Sequence, residues 1–291
     1  MTMRFVCVAL AGLSLAAAQQ RPEVHGGTPA VSPDGSRIAY MSDRGGITAL
    51  FVIAADGAGE TELIRSRALQ GFPRWTADGK RVIYCAKSGS GVELYAIDVD
   101  GGSQQTIGAI PGRAPVLSPD GRRVTYSAGP YASARIWIAD INGAGARPLS
   151  DGFAPAFIGW WSPDGNSVSF AQRGPERALQ VWIVGDDGKD LRQFPRIDPA
   201  EGSAEWPAWS PDGRRLALQV EKQPGPTSHI WIATLPGGEA KPIAPHQEMY
   251  LDETPCWFPD GKRIAFQSNR TGRMEIWVMN DDGSAPRQIT R

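Results

Sequence analysis

One short motif recurs along this chain at nearly constant spacing and restricts its architecture more than any other feature. A tetrapeptide ending in Asp-Gly occurs six times: Ser32 to Gly35, Thr76 to Gly79, Ser118 to Gly121, Ser162 to Gly165, Ser210 to Gly213 and Phe258 to Gly261. Successive aspartates stand 44, 42, 44, 48 and 48 residues apart, so one unit of about 45 residues is repeated along nearly the whole sequence. Just before the motif stands a large apolar residue, Trp75, Trp161, Trp209 and Trp257, with Val31 and Leu117 in the first and third copies. After it comes an alternating segment such as Arg37-Ile38-Ala39-Tyr40 or Arg263-Ile264-Ala265-Phe266, which reads as a half-buried strand. Pro-Asp-Gly between them suits a type I turn closed by a left-handed glycine, the chemistry of a three-residue hairpin loop. A third strand follows (Ile136-Trp137-Ile138, Val181-Trp182-Ile183, Ile230-Trp231-Ile232, Ile276-Trp277-Val278). A second glycine turn such as Asp282-Gly283 then leads into a short fourth strand.

Four short antiparallel strands per unit, repeated six times, predict an all-β fold: a six-bladed β-propeller with four antiparallel strands per blade. Closure into a ring is expected, because an open stack would leave two apolar sheet faces wet and neither terminal copy has the polar face of a cap. Both aromatic positions are expected between blades. The 34 glycines and 24 prolines fit so many turns. Thirty basic residues against 31 acidic ones, without a run of five like charges, give a net charge of -1 and exclude a nucleic-acid partner on electrostatic grounds.

Residues 1–18 read as a signal peptide: Arg4 precedes an apolar run from Phe5 to Leu15, and Ala16 and Ala18 supply the small residues of a cleavage site. The run is too short for a membrane span. A periplasmic or secreted, monomeric protein is expected, with residues 19–291 forming one propeller. Of the three cysteines Cys7 leaves with the peptide; Cys85 and Cys256 fall on strands of the second and sixth units and are expected as small buried residues rather than a bridge. His25, His229 and His246 share no repeat phase or metal-binding spacing, and Gly-x-Ser-x-Gly is absent.

The unit read as Pro-x-Trp-Ser-Pro-Asp-Gly-Arg-Arg-Leu-Ala in copy five, and from Phe266 to Thr290 in copy six, resembles the repeat of the TolB propeller family over Pro29 to Thr290. The resemblance implies a periplasmic six-bladed propeller of the Tol-Pal envelope system, docking a peptidoglycan-associated lipoprotein on one face. The α/β domain that precedes the propeller in that family has no counterpart in these 291 residues. Similar blades occur in prolyl-oligopeptidase-like peptidases and oligogalacturonate lyases.

Two functional classes follow. The first is a non-enzymatic scaffold that binds a protein or peptide. The Pro-Asp-Gly and Asp-Gly hairpins gather on one face of the ring, and the irregular connections (129–134, 151–158, 196–206, 221–228 and 245–254) gather on the other. Phe153, Phe157, Trp206, Met249 and Tyr250 are its candidate apolar anchors, exposed or half-exposed. The second is a carbohydrate-active enzyme, a lyase or hydrolase, working in the central channel. Seven residues before each turn aspartate stand Gly27, Gly71, Arg113, Phe157, Glu205 and Glu253, expected as a ring at the channel mouth. Arg113, Glu205, Asp252 and Glu253 are its charged members. No cofactor is expected, apart from Ca²⁺ as a candidate for those carboxylates.

Overall fold

The computed structural model describes residues 26–89, 91–149, 155–173, 178–222, 227–243 and 250–291. Those residues hold twenty-four strands in six separate four-stranded sheets, each built from four consecutive strands paired antiparallel. The inner strands are Gly27–Val31, Leu69–Trp75, Arg113–Leu117, Ala156–Trp161, Ser203–Trp209 and Asp252–Trp257. The ring closes. Ile38, Tyr40 and Phe51 of blade 1 share a core with Phe258, Ile276 and Val278 of blade 6. The signal-peptide segment 1–18 lies outside the described residues.

The turn that sets the repeat is held by its own side chains. In the first copy Ser32 Oγ donates to Asp34 Oδ1 at 2.6 Å, the Ser36 amide donates to the same oxygen at 3.0 Å, and the Arg37 amide donates back to Ser32 Oγ at 2.9 Å. Copies three, four and five repeat the hydroxyl-to-carboxylate bond from Ser118, Ser162 and Ser210, and Thr76 supplies it in copy two. The sixth copy has Phe258 instead of a hydroxyl, and Asp260 takes Arg263 Nε at 2.7 Å. The glycine that closes the turn is left-handed in all six copies, φ between 64° for Gly261 and 73° for Gly35, a region costly for any side chain with a Cβ.

The seams explain the tryptophans. Trp75 Nε1 donates to the Ala30 carbonyl of the preceding blade at 2.8 Å, Trp161 to Val116 at 3.1 Å, and Trp257 to Ala208 at 3.1 Å; Trp209 reaches Ser169 Oγ at 2.9 Å. Each indole thus buries apolar area between two sheets and fills the polar atom that burial would otherwise strand. Arginines three residues after the turn aspartate span two of these seams. Arg123 lies over Trp161 and pairs with Asp186 at 2.5 Å, and Arg215 lies over Trp257 and pairs with Asp281 at 2.7 Å. Cys85 is buried as expected and unbridged; Cys256 is also unbridged but only half-buried, because it faces the central channel.

The seams and the turns can each be tested by stability. Trp257→Phe removes one seam hydrogen bond and is expected to cost about 1 to 2 kcal/mol, and Trp257→Ala about 3 to 5 kcal/mol, in urea denaturation; equal costs would place the indole outside the seam. The serine and amide donors hold Asp34 down to about 2 from 3.8, and Asp78, Asp120, Asp164, Asp212 and Asp260 are lowered as well. A depressed carboxyl stabilises the fold above its unfolded value and stops doing so as pH falls through its folded value. The denaturation midpoint is therefore expected to fall between about pH 4 and pH 2, and a flat profile there would contradict these turns.

Candidate functional site

The channel wall is set by a backbone irregularity common to all six blades. Six residues before each turn aspartate, Thr28, Phe72, Ala114, Ile158, Trp206 and Thr254 have φ of 50°, 82°, 52°, 41°, 51° and 51°. At the same place each pairing of inner and second strand slips register. A left-handed residue in a bulge re-aims the strand, so residues six and four before the aspartate share the channel side. The inner ring four residues before the aspartate is Ala30, Arg74, Val116, Trp160, Ala208 and Cys256, and all six line one cavity of about 470 Å³. Pro33, Ala77, Ser118 to Gly121 and Pro163 place its mouth on the tight-turn face. Toward the irregular face it is floored by rings: Phe72 and Trp206 lie 5.4 Å apart between centroids, and Trp160 and Trp206 5.9 Å.

The ring anticipated seven residues before the aspartate is therefore displaced. None of Arg113, Phe157, Glu205, Asp252 or Glu253 lines that cavity, because the bulge turns their phase away from it. The acids are buried rather than arrayed on a rim: Glu205 and Glu253 are each 6% exposed and Asp252 3%. Their surroundings are structural. Gln267 Nε2 donates to Glu253 at 2.7 Å while Gln267 Oε1 accepts the Thr28 amide at 3.1 Å, tying blade 6 to the bulge of blade 1. Gln219, opposite Glu205 in register, accepts the Thr254 amide at 3.2 Å. Asp252 receives Ser268 Oγ at 2.7 Å and Arg270 Nη2 at 2.6 Å. Among the described residues no group of three or more His, Cys, Asp or Glu is placed to hold a metal ion.

On the irregular face the structure gathers part of the anticipated anchor set. Phe153 and Met249 lie outside the described residues. Phe157 and Trp206 are 6% and 7% exposed, less than anticipated, because both pack into the core between blades 3, 4 and 5. Tyr250 is half-buried, its ring 5.8 Å from Arg270. The exposed partner of Phe157 is a residue that the repeat pattern does not mark. Tyr131, in a single 3-10 turn at Tyr131–Ser133, is 52% exposed with its ring 5.3 Å from that of Phe157. Arg113 lies over the same ring at 5.7 Å and donates to the Gly129 carbonyl at 3.1 Å. Burial chiefly raises the Tyr131 phenol, and the charges of Arg113 and Arg173 oppose it. Tyr131 falls inside one of the irregular connections; only the tertiary position of Phe157 reveals it as the outer half of an aromatic pair.

Comparison with known proteins agrees with this architecture. The TolB beta propeller domain family matches residues 15–206 and 196–291. A Tol-Pal system protein TolB from Anaeromyxobacter dehalogenans is 48% identical over 44 residues, which are 15% of this chain and only 10% of that protein. TolB from Acinetobacter baumannii superposes with a TM-score of 0.71 at 21% identity, over 87% of this chain and 63% of that one. A putative TolB from Agrobacterium tumefaciens gives 0.65 at 20%, over 79% and 84%. An oligogalacturonate lyase in complex with manganese gives 0.61 at 16%, over 93% and 77%. At these identities the superpositions speak for fold alone.

The buried Asp252–Arg270 pair supports the loop that carries Tyr250. Asp252→Asn leaves the guanidinium without its counter-charge, with its side chain only 16% exposed, and is expected to cost about 3 kcal/mol in chemical denaturation. Adding Arg270→Gln should recover part of that loss; an additive double variant would show that the pair carries no coupling.

Proposed function

We propose that this chain, which belongs to the TolB β-propeller family, is an exported, non-enzymatic scaffold that binds a protein or peptide of the cell envelope on its irregular face. The observation that carries this reading is the Tyr131–Phe157 pair. A rigid ring anchored in the core of blades 3 and 4 supports an exposed tyrosine flanked by Arg113, the combination of aromatic and arginine found at the energetic centre of protein interfaces. The partner side it suits is an extended segment or loop offering an apolar side chain beside a carboxylate or carbonyl. A peptidoglycan-associated lipoprotein is the first candidate, since the family and the Tol-Pal relative both point to the envelope. Export rests on the leader-like residues 1–18, and among the described residues no helix is long and apolar enough to cross a membrane.

A lyase or hydrolase in the channel would need an acid and a base converging on the substrate. Around the cavity the titratable groups are Arg74, Cys256 and Asp120, and Asp120 is held by Ser118 Oγ at 2.6 Å and the Arg122 amide at 3.1 Å. Neither Glu205 nor Glu253 lines this cavity and both are buried, and this weighs for the scaffold. The test is calorimetric titration with the purified soluble domain of the peptidoglycan-associated lipoprotein from the same organism. Wild type should bind, Tyr131→Ala should bind at least about tenfold more weakly, and Leu191→Ala, an exposed change on the other face, should bind as wild type does. Equal binding by Tyr131→Ala would refute the surface, and no binding by wild type would refute the lipoprotein as partner.

A further inference from the structure

The cavity at the centre of the ring holds a cation that no ion pair among the described residues neutralises. We propose that the channel is a binding site for a small carboxylate ligand with a flat apolar body, entered from the tight-turn face and anchored by Arg74 against Trp160. The site is independent of the partner surface, which lies on the opposite face.

The placement comes from the same repeat phase that builds the wall. Four of the six positions in the inner ring are small or short, Ala30, Val116, Ala208 and Cys256; Arg74 and Trp160 are its two long side chains, and they stack on each other. The Arg74 guanidinium lies over the Trp160 ring at 4.1 Å. Its Nη1 donates to the carbonyl of the neighbouring Pro73 at 3.0 Å. Its Nη2 is shut off from water with no hydrogen-bond partner, and no ion pair involves Arg74 among the described residues. An unfilled donor on a half-buried cation is costly unless a ligand completes it. Burial pulls this guanidinium down to about 10, so it stays charged at neutral pH while lacking a counter-ion.

The chemistry of the missing partner follows from geometry. The indole occupies the face of the guanidinium, whereas its hydrogen bonds lie in its plane, where a carboxylate can accept them in pairs. Much of the remaining wall is apolar: Trp75, Trp161, Trp209 and Trp257 line it with Pro29 and Pro255, while Ser118 and Asp120 lie at the mouth, where Asp120 is held by the Ser118 hydroxyl. A bare inorganic anion would leave that surface wet, and an amine would meet Arg74 as a like charge. A volume of about 470 Å³ falls within the range of about 300 to 1,000 Å³ usual for small-molecule sites. A free aromatic acid and the C-terminal carboxylate of a peptide share this chemistry.

The experiment follows tryptophan fluorescence and heat on titrating the full exported chain with 2-naphthoate, with neutral 2-naphthamide, and with a short peptide ending in phenylalanine as the free acid or as the amide. At least one acid should bind tenfold or more tightly than its amide. Arg74→Gln should abolish that preference, Arg74→Lys should keep part of it, and Trp160→Leu should weaken both members of the pair while leaving the preference. Circular dichroism and melting curves establish which variants fold. Should Arg74→Gln not fold, the comparison of acid with amide on wild type and on Trp160→Leu decides the question. Capture of the peptide acid alone assigns a chain terminus as ligand, and capture of naphthoate alone a free organic acid. Acid and amide binding equally, a preference that survives Arg74→Gln, or no binding by any probe would overturn the site.

Discussion

The left-handed residue in the inner strand of each blade is the constraint on which the rest of the channel depends. A non-glycine residue pays of order 1 to 2 kcal/mol to sit there, and Thr28, Ile158 and Thr254 are β-branched, which makes the cost larger. Six such residues persist because neighbouring blades over-determine them. The Thr28 and Thr254 amides are each taken by a glutamine of the preceding blade, and Ile158, Trp206 and Phe72 pack into one shared core. The bulge is thus bonded in trans: a blade in isolation would lack the acceptor that holds its own inner strand. Ring closure is accordingly a condition for local backbone geometry as well as a way to cover apolar faces.

How far the sequence reveals this is decided residue by residue. The period of the aspartates, the hydroxyl of Ser32, Thr76, Ser118, Ser162 and Ser210 ahead of the closing glycine, and the alternating second strand are local chemistry, and blade number, strand order and seam tryptophans all follow from them. The bulge has no such signature. Its residues are threonine, phenylalanine, alanine, isoleucine and tryptophan rather than glycine, so nothing in their type announces a positive φ. Counting from the turn therefore finds a true repeat phase but gives it the wrong side of the strand. It makes a rim of Glu205 and Glu253, which are buried beside Gln219 and Gln267. Loop length alone, in turn, makes open anchors of Phe157 and Trp206, which the core takes in, and it misses Tyr131, whose meaning comes from contact with a residue of the next blade.

The ring separates two kinds of surface. Tight hairpins ring one face, and their side chains are consumed by turn hydrogen bonds, so that face offers little beyond the channel mouth. On the opposite face the connections differ in length from blade to blade, and a rigid sheet can present an exposed residue without having to order it on binding. Tyr131 illustrates the arrangement: its loop is a single 3-10 turn, yet the ring beneath it belongs to the core. Membership of a family built on this frame accounts for the frame and leaves recognition to such individual residues.

The channel cation argues in the same direction. Had stability alone shaped this wall, an apolar side chain at position 74 would pack against Trp160 without stranding a charge, as the equivalent Val116 and Ala208 do in their blades. Arg74 instead leaves a donor unfilled beside an open volume, whereas the buried Asp252 has its arginine and serine and Glu253 its glutamine. A buried donor left unfilled on a charged group beside an open volume marks a place that a ligand can complete. Because the Phe72–Trp206–Trp160 floor lies between Arg74 and the irregular face, an occupant of the channel and a partner on that face need not compete, and the two recognition events can be separated by substitution.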